Sequence, residues 1–149
     1  MKIINRKFSR KFKSIEEYEA GIELLGSEVK SVRAGRMLLD DSFVKIINNE
    51  AYLINAEISV YKFARPHDYD SKKTRKLLLH KKELIRLKTK ISSSSGLTIA
   101  PIGCYNKGNL IKLKIALVKG KGDIERKKQE KKEDIIREEK REMKEYLKS

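Results

Sequence analysis

A short segment near the N-terminus places carboxylates directly before cations, which is unexpected in a strongly basic chain. In EAGIELLGSEVKSVRAG, the carboxylates are Glu19, Glu23 and Glu28, and the cations are Lys30 and Arg33. Lysine and arginine bind phosphates and other anions, whereas carboxylates repel them. The formal net charge of +15 predicts an anionic partner, so the three carboxylates need an explanation of their own.

Residues that could support catalysis or hold a metal are few. His67, His80 and the single Cys104 cannot form a usual zinc site. The sequence has no G-x-x-x-x-G-K-[ST] loop, and Gly120-Lys121-Gly122 is more typical of a hinge. Cys104 lies in a strand pattern, where a cysteine is usually a small buried hydrophobe. We therefore predict that the protein is not an enzyme and uses no metal, cofactor or small-molecule substrate.

The other cations also occur in groups, which favours nucleic-acid binding. Aromatic residues make up only 7% of the chain and tryptophan is absent, so a stacking platform for bases is poorly supplied. A generally cationic surface without a specific ligand is the alternative. A membrane surface is a weaker candidate because apolar anchors are lacking. The groups are Lys2, Arg6, Lys7, Arg10, Lys11 and Lys13; Lys30, Arg33 and Arg36; Lys72, Lys73, Arg75 and Lys76; and Lys81 and Lys82.

Hydrophobic periodicity predicts the elements that carry these residues. Apolar and polar residues alternate over residues 18–24, which indicates a half-buried strand with Glu19 on its outward face. A short helix is expected to follow, with Ser27 as its N-cap and Gly35 at its end. Two valines three residues apart can seat this helix on a core. Its opposite face would present Lys30, Arg33 and Arg36.

Two hairpins and a longer helix are predicted further along the chain. SFVKII and AYLINAEI flank the turn Asn48-Asn49-Glu50, and GLTIAPIGCY and LIKLKIALV flank Asn106-Lys107-Gly108-Asn109. Between the hairpins, KKELIRLKTKI repeats Leu84, Leu87 and Ile91 at helical spacing. About six strands with two or three short helices predict an all-β-dominated fold. A small OB-like antiparallel barrel is favoured because closure removes exposed strand edges, and an open sheet with helices on one face is the alternative.

Composition divides the chain into a basic N-terminal arm at residues 1–12, a barrel at 13–118 and a flexible charged tail at 119–149. The tail contains 12 Lys and Arg against 9 Asp and Glu. It has too few apolar residues to bury a helix face, so we expect it to be disordered when free. The first fifteen residues also resemble a transit peptide in composition. Their apolar residues form no helical stripe, which favours the arm.

The sequence also indicates the cellular compartment of the protein. No stretch is long and apolar enough to cross a bilayer or to form the core of a signal peptide. A single cysteine excludes an internal disulfide and fits a reducing environment. We therefore expect a cytoplasmic protein.

Five blocks occur along the chain in one order: NRKF at 5–8, EAGIELLGSEVKSVRAGR at 19–36, DSF at 41–43, TRKLLLHKKEL at 74–84 and KIALVKGK at 114–121. Each block alone is weakly specific. Together they closely resemble the small protein B family, the SsrA-binding proteins of bacterial trans-translation. The resemblance covers nearly the whole chain. Departures from the family's usual residues are Phe8, Val60, Ser71 and Glu125-Arg126-Lys127.

The resemblance implies an OB-fold barrel that binds the tRNA-like domain of transfer-messenger RNA and delivers it to ribosomes stalled without a stop codon. Asn5, Glu19, Leu78 and His80 match the family's RNA-contact cluster. Glu19 would accept hydrogen bonds from base N–H groups or a 2′-hydroxyl while cations hold the phosphates. Glu23 and Glu28 are expected to be solvated or paired with nearby cations. The cations expected to bind RNA are Arg6, Lys7, Lys30, Arg33, Arg36, Lys76 and Lys81.

In the family that this chain resembles, the C-terminal tail enters the empty decoding centre and the mRNA channel. The resemblance therefore implies that the tail forms a helix on the ribosome. A general RNA-binding or ribosome-associated OB-fold protein is the alternative function. The tail residues expected to contact the ribosome are Lys119, Lys121, Arg126, Lys127, Lys131, Lys132, Arg137 and Tyr146.

Overall fold

A computed structural model describes residues 1–61, 69–121 and 135–144, and these residues contain nine strands and four helices. The strands are β1 (Lys2–Ile4), β2 (Phe12–Ile22), β3 (Met37–Leu38), β4 (Phe43–Ile47), β5 (Glu50–Ile54), β6 (Glu57–Ile58), β7 (Arg75–Leu78), β8 (Leu97–Lys107) and β9 (Leu110–Gly120). The helices are α1 (Phe8–Lys11), α2 (Gly26–Arg33), α3 (Lys81–Ser93) and α4 (135–144).

Six strands close into an antiparallel ring in the order β8, β4, β5, β7, β2 and β9, with β9 pairing back onto β8. Strand β1 adds to β8 outside this ring, and β3 and β6 form a separate pair. Each of the six strands therefore has a partner on both sides, as expected for a small closed all-β domain. The predicted OB-like barrel of about six strands is confirmed, and the open sheet is not observed.

The main core lies inside the ring and is lined by the inward residues of each strand. On β9 these are Leu113, Ile115 and Leu117, all fully buried. Helix α3 contributes Leu87, which is also fully buried, and the helical spacing predicted for this segment is confirmed. The buried Cys104 also agrees with its predicted role as a small hydrophobe.

A second, smaller core lies on the outside of the ring, where the sequence pattern did not predict one. Ala116 and Val118 alternate with the main-core residues of β9 and should have faced solvent. They are buried because Phe8 of α1 and Phe12 at the start of β2 cover them, with their ring centroids 5.8 Å apart. The two phenylalanines therefore explain why this part of β9 is apolar on both faces.

Both predicted hairpins are present. Asn48 and Asn49 connect β4 to β5 with φ of 51° and 63°. Positive φ at both central residues is the geometry of a tight type I′ turn, which asparagine tolerates better than most residues. The second hairpin joins β8 to β9 through Gly108, whose φ is 61°.

Strand β2 begins earlier than the alternation over residues 18–24 predicted. Its register against β9 shifts between Ser14 and Glu16, so Ile15 is exposed and the period of two is broken. Because the bulge interrupts the alternation, the first half of the strand could not be recognised from the sequence pattern. The C-terminal end of the barrel also differs from its expected boundary at residue 118, because β9, which pairs with β2, continues to Gly120.

The predicted Ser27 N-cap of α2 is wrong. The helix begins at Gly26, and Glu28 Oε1 accepts a hydrogen bond from the Leu25 N–H at 3.0 Å. The longer glutamate side chain reaches back to the first turn and satisfies one of its free backbone donors. Within the described residues, no helix is long and apolar enough to cross a membrane.

Candidate nucleic-acid interface

A row of residues crosses the outer surface of five neighbouring strands and includes a glycine on β2. Gly21 of β2 is the register partner of Leu78 on β7 and of Lys112 on β9. Lys112 is in turn opposite Tyr105 on β8, and Tyr105 is opposite Lys2 on β1. Directly opposed residues on neighbouring strands point to the same face of a sheet. We call these five residues the outer row.

The glycine in this row lets an apolar side chain lie flat on the sheet. A Cβ atom built on Gly21 would lie 3.2 Å from the Leu78 Cβ, closer than a normal contact. Leu78 is nevertheless 51% exposed, so its other side faces solvent. The outer row therefore combines one exposed leucine, one tyrosine and two lysines, which suits contact with the face or edge of a nucleotide.

Glu19 lies two residues before Gly21 on β2, and its predicted outward orientation is confirmed. The Tyr105 hydroxyl donates a hydrogen bond to Glu19 Oε2, and Lys107 Nζ donates to Oε1 at 3.1 Å. The bonds from Tyr105 and Lys107 hold the pKa of Glu19 below its usual range, and the bond to Glu19 raises the pKa of Tyr105 to about 12. Glu19 is therefore an ionised acceptor in cationic surroundings.

The predicted cations of α2 lie beside the edge of this surface. Arg33 donates a hydrogen bond from Nη2 to the Asn109 carbonyl at 3.1 Å, which brings the end of α2 against the β8–β9 turn and near Lys107. Lys30, one helical turn earlier, has its ammonium 5.3 Å from the centre of the Tyr61 ring. Arg36 follows the helix and is exposed.

Residues on β7 and at the start of α3 continue the surface on the other side of β2. Lys76 forms an exposed ion pair with Glu50 at 3.1 Å. His80 is exposed and precedes α3, and its backbone N–H donates to Glu83 Oε1 at 3.0 Å. Lys81, the first residue of α3, is also exposed. Leu78 is therefore followed by a histidine and a lysine that both face solvent.

The predicted N-terminal site residues form no hydrogen bond or ion pair with Glu19, whose partners are Tyr105 and Lys107. Asn5 is only 4% exposed, and its Nδ2 donates to the Pro101 carbonyl at 2.8 Å while its Oδ1 accepts from the Lys7 N–H at 3.2 Å. Lys7 forms an ion pair with Asp41 at 3.0 Å. Arg6 is exposed, and its backbone N–H donates to Asp40 at 3.2 Å. Asn5 thus fixes the chain between β1 and α1 and turns no polar atom outward.

The predicted tail contacts are described only in part. Lys119 is exposed at the end of β9. The backbone N–H of Lys121 donates to the Lys11 carbonyl at 2.8 Å, and its Nζ donates to the Ser9 carbonyl at 2.7 Å. Arg137 lies on α4, where every residue is exposed. Lying outside the described residues are Arg126, Lys127, Lys131, Lys132 and Tyr146.

The family of the chain follows from sequence comparison. The model of the SmpB protein family matches residues 2–145. The chain belongs to the SmpB family. The SsrA-binding protein of a Nitratiruptor species is 47% identical over 98% of this chain and 99% of its own length. Those of Carboxydothermus hydrogenoformans and Aquifex aeolicus are 43% and 45% identical over 90% and 94% of this chain, and over 89% of their own lengths.

A solved SmpB-family structure has the same fold. One chain of the structure described as "tmRNA-SmpB: a journey to the center of the bacterial ribosome" is 39% identical to this chain. The two superpose with a TM-score of 0.67 over 82% of this chain and 85% of that one. The resemblance found in the five sequence blocks is thereby confirmed.

Two of the positions at which this SmpB-family chain departs from the usual residues, Phe8 and Ser71, make structural contacts. Phe8 packs on the second core with Phe12. Val60 is partly exposed, and the Ser71 carbonyl accepts hydrogen bonds from Ile58 N–H and Arg75. The departure at residues 125–127 lies outside the described residues.

Beneath α2 lies a buried charge network that the sequence analysis missed. Glu28 and Arg75 are each 2% exposed, and Arg75 Nε and Nη2 contact Glu28 Oε2 at 2.9 and 2.8 Å. Lys73 Nζ lies 3.3 Å from Oε1, and the Tyr69 hydroxyl donates to Oε2 at 3.1 Å. Glu28 was expected to be solvated or paired; it is paired but buried. Arg75 lies two residues before the buried Leu77 on β7 and therefore on the same face, and this spacing was the available signal.

The ionisation of Glu28 reflects two opposing effects. Burial alone would raise its pKa, but the Leu25 N–H, the Arg75 guanidinium and the charge of Lys73 together hold that pKa below its usual range. Arg75 uses its remaining donors on the carbonyls of Ala56, Lys73 and Ser71. The network therefore fixes α2 to β6, β7 and the segment before β7.

Among the described residues, no group of three or more His, Cys, Asp or Glu side chains could hold a metal. Burial raises the pKa of the Cys104 thiol to about 11, which keeps it protonated and poorly nucleophilic.

Proposed function

We propose that this chain binds the tRNA-like domain of transfer-messenger RNA and delivers this RNA to stalled ribosomes for trans-translation. The observation that carries the proposal is the family match over residues 2–145. It is supported by relatives named as SsrA-binding proteins and by a solved neighbour described with tmRNA and the bacterial ribosome. The chain acts here as a binding protein and catalyses no step itself.

The outer surface offers a physical account of RNA recognition. Glu19 accepts hydrogen bonds from base N–H groups or a 2′-hydroxyl, which phosphates cannot imitate. Leu78 gives the ribose or base an apolar contact. The surrounding cations neutralise phosphates and supply most of the affinity. The residues assigned to RNA contact are Glu19, Lys30, Arg33, Arg36, Lys76, Leu78, His80 and Lys81.

The three N-terminal residues take a different part in this proposal. Asn5 positions the turn between β1 and α1 through its bonds to Pro101 and Lys7. Arg6 and Lys7 are exposed, and Lys7 can exchange Asp41 for a phosphate. Their contribution is therefore to affinity and not to the choice of RNA.

The test of RNA choice compares transfer-messenger RNA with an ordinary tRNA at one fixed salt concentration. We expect the full chain to bind transfer-messenger RNA more tightly, because Glu19 and the outer row read features beyond phosphate charge. Equal affinities would instead favour the general RNA-binding or ribosome-associated OB-fold protein.

We propose further that residues 119–149 act on the ribosome, in the decoding centre and the mRNA channel. Helix α4 is exposed along its whole length, so its charged face is available for ribosomal RNA. An α-helix of the roughly 25 residues at this end would span about 37 Å, which is enough to follow a channel. The residues assigned to ribosome contact are Lys119, Lys121, Arg126, Lys127, Lys131, Lys132, Arg137 and Tyr146.

Truncation after Lys121 separates the two activities. The shortened chain keeps all of β9 and the two bonds of Lys121 to Ser9 and Lys11, so the barrel should remain folded. We expect near-normal affinity for transfer-messenger RNA and no tagging of a stalled nascent chain in a reconstituted translation reaction. Tagging by the truncated chain would refute the role of the tail.

A further inference from the structure

Four tyrosine hydroxyls donate to glutamate carboxylates within the described residues, and only one of these bonds joins two strands of the ring. Tyr18–Glu16 and Tyr52–Glu50 join residues two apart on a single strand, and Tyr69–Glu28 belongs to the buried network beneath α2. Tyr105–Glu19 joins residues 86 apart in sequence, on β8 and β2, across the intervening strand β9. A bond of this kind exists only when the barrel brings the two strands into their native register, so it reports tertiary structure at the RNA surface.

The Tyr105 bond leaves Glu19 fixed but still able to bind. Each carboxylate oxygen takes one donor from the protein, Tyr105 at Oε2 and Lys107 at Oε1. An ionised carboxylate has about four acceptor positions, so each oxygen keeps one for a ligand. Tyr105 is itself part of the outer row, opposite Lys112 and Lys2. The carboxylate is thus pre-oriented on the surface assigned to RNA.

We propose that Tyr105 is a positioning residue that holds the Glu19 carboxylate in the orientation that selects the RNA, with Lys107 as its second support. This inference rests on the proposed function. Without the Tyr105 hydroxyl, one oxygen of Glu19 loses its donor and the side chain regains rotamers that RNA binding must then freeze out again. Affinity should fall for the RNA that is read through Glu19 and not for RNA held by phosphate contacts alone.

The charged groups around Glu19 make this role measurable without RNA. Those facing it are Tyr105 and Lys107 from β8 and Lys112 from β9, while Lys114 is paired with Glu17 at 3.0 Å. The hydroxyl of Tyr105 stabilises the ionised carboxylate. Its removal in Tyr105→Phe should therefore raise the pKa of Glu19 towards its ordinary value.

A double-mutant cycle tests the proposal with full-length chains at fixed salt. Tyr105→Phe should weaken binding of transfer-messenger RNA about tenfold, the loss of roughly one hydrogen bond, and leave binding of an ordinary tRNA unchanged. In a Glu19→Gln background, Tyr105→Phe should add little further loss. Tyr18→Phe is the matched control, because it removes a Tyr–Glu bond whose other partners, Arg86 and Lys90, have no assigned RNA contact, and it should bind as wild type.

Carbon-13 NMR titration of the Glu19 carboxyl in the free protein provides a second readout. We expect a higher pKa of Glu19 in Tyr105→Phe and no change in Tyr18→Phe. Wild-type affinity of Tyr105→Phe, an equal loss in both backgrounds, or an unchanged Glu19 pKa would overturn the inference. Equal binding of the two RNAs by wild type would refute the proposed function instead, and the titration would still decide whether Tyr105 holds Glu19.

Discussion

Arg75 illustrates how a buried charge is tolerated in a small barrel. Its guanidinium has five N–H donors, and they are directed at Glu28, at the Tyr69 hydroxyl and at backbone carbonyls. A buried ion pair of this kind contributes little net stability compared with an apolar pair. Removing one partner is costly, because the other charge is then buried without compensation.

Replacing Glu28 by glutamine should therefore destabilise the fold. Glutamine keeps the size of the side chain but removes the charge that Arg75 faces, so we expect a loss of about 3 kcal/mol in the free energy of unfolding. Urea denaturation measures this. Glu50→Gln is the control, since it breaks the exposed pair with Lys76 and should change stability little. A Glu28→Gln variant as stable as that control would contradict the assigned role.

The same carboxylate should make stability depend on pH. The pKa of Glu28 is lower in the folded chain than in the unfolded chain, so its contribution is present above the ordinary range of a glutamate. It is lost as the pH falls through the folded-state pKa. Urea midpoints measured down the acid range should fall more steeply for wild type than for Glu28→Gln, and parallel curves would argue against this linkage.

Single residues also show where sequence reasoning reaches its limit. The outward orientation of Glu19 followed from strand alternation, which is a local property. The burial of Glu28 and the bond from Tyr105 to Glu19 depend on residues far apart in sequence. No local period encodes such a pairing, so the individual partners within the candidate site could not be predicted even though its general region was.

Helix α2 is held at both ends, which orients its cations. Its first turn is anchored by the buried Glu28 network, and its last turn by Arg33 on the Asn109 carbonyl. Lys30 lies between these two attachments and is exposed. The two attachments therefore fix the orientation of α2 and of the cations that it carries.

The salt dependence of RNA binding tests this element. Each phosphate contact contributes about 0.7 to 0.9 to the slope of log K against log salt, and five or six contacts would give a slope of about −4 to −5. Arg33→Ala or Lys30→Ala should weaken binding and make the slope shallower by one such step. Filter binding of transfer-messenger RNA over a salt series measures it.

Lys88→Ala supplies the charge-matched control for that series. Lys88 lies on α3 and donates to Asn49 at 2.8 Å, on the β4–β5 turn and away from α2. Its loss lowers the net charge equally but should leave the slope unchanged. If Lys88→Ala and Arg33→Ala alter the slope alike, general charge and not a defined α2 contact controls binding.

Elements were predictable where their pattern is regular and local. The two hairpins and α3 were found from turn residues and helical spacing. The first half of β2 was missed because a bulge interrupts its alternation, and β1 and α1 were included in the basic arm because short elements give weak patterns. The second core under Phe8 and Phe12 also needed the tertiary structure to be recognised.

At the scale of the whole molecule, closure of the barrel was predictable and its register was not. The number of strands and the cost of free edges together favour a ring. The registers β2–β9 and β8–β9 set which side chains share the outer row, and they arise from packing across the finished barrel. The fold class was therefore accessible from sequence, while the arrangement of its binding surface was not.

The seam between β2 and β9 has a consequence for how the chain acquires its structure. Lys13 pairs with Lys119, so the ring closes between residues more than a hundred positions apart. A chain still lacking β9 during synthesis has an open barrel with two unpaired edges. Such high contact order predicts slow, single-step refolding on the scale of roughly milliseconds to seconds. Stopped-flow refolding from urea measures this rate, and microsecond folding would show that closure of the seam does not limit it.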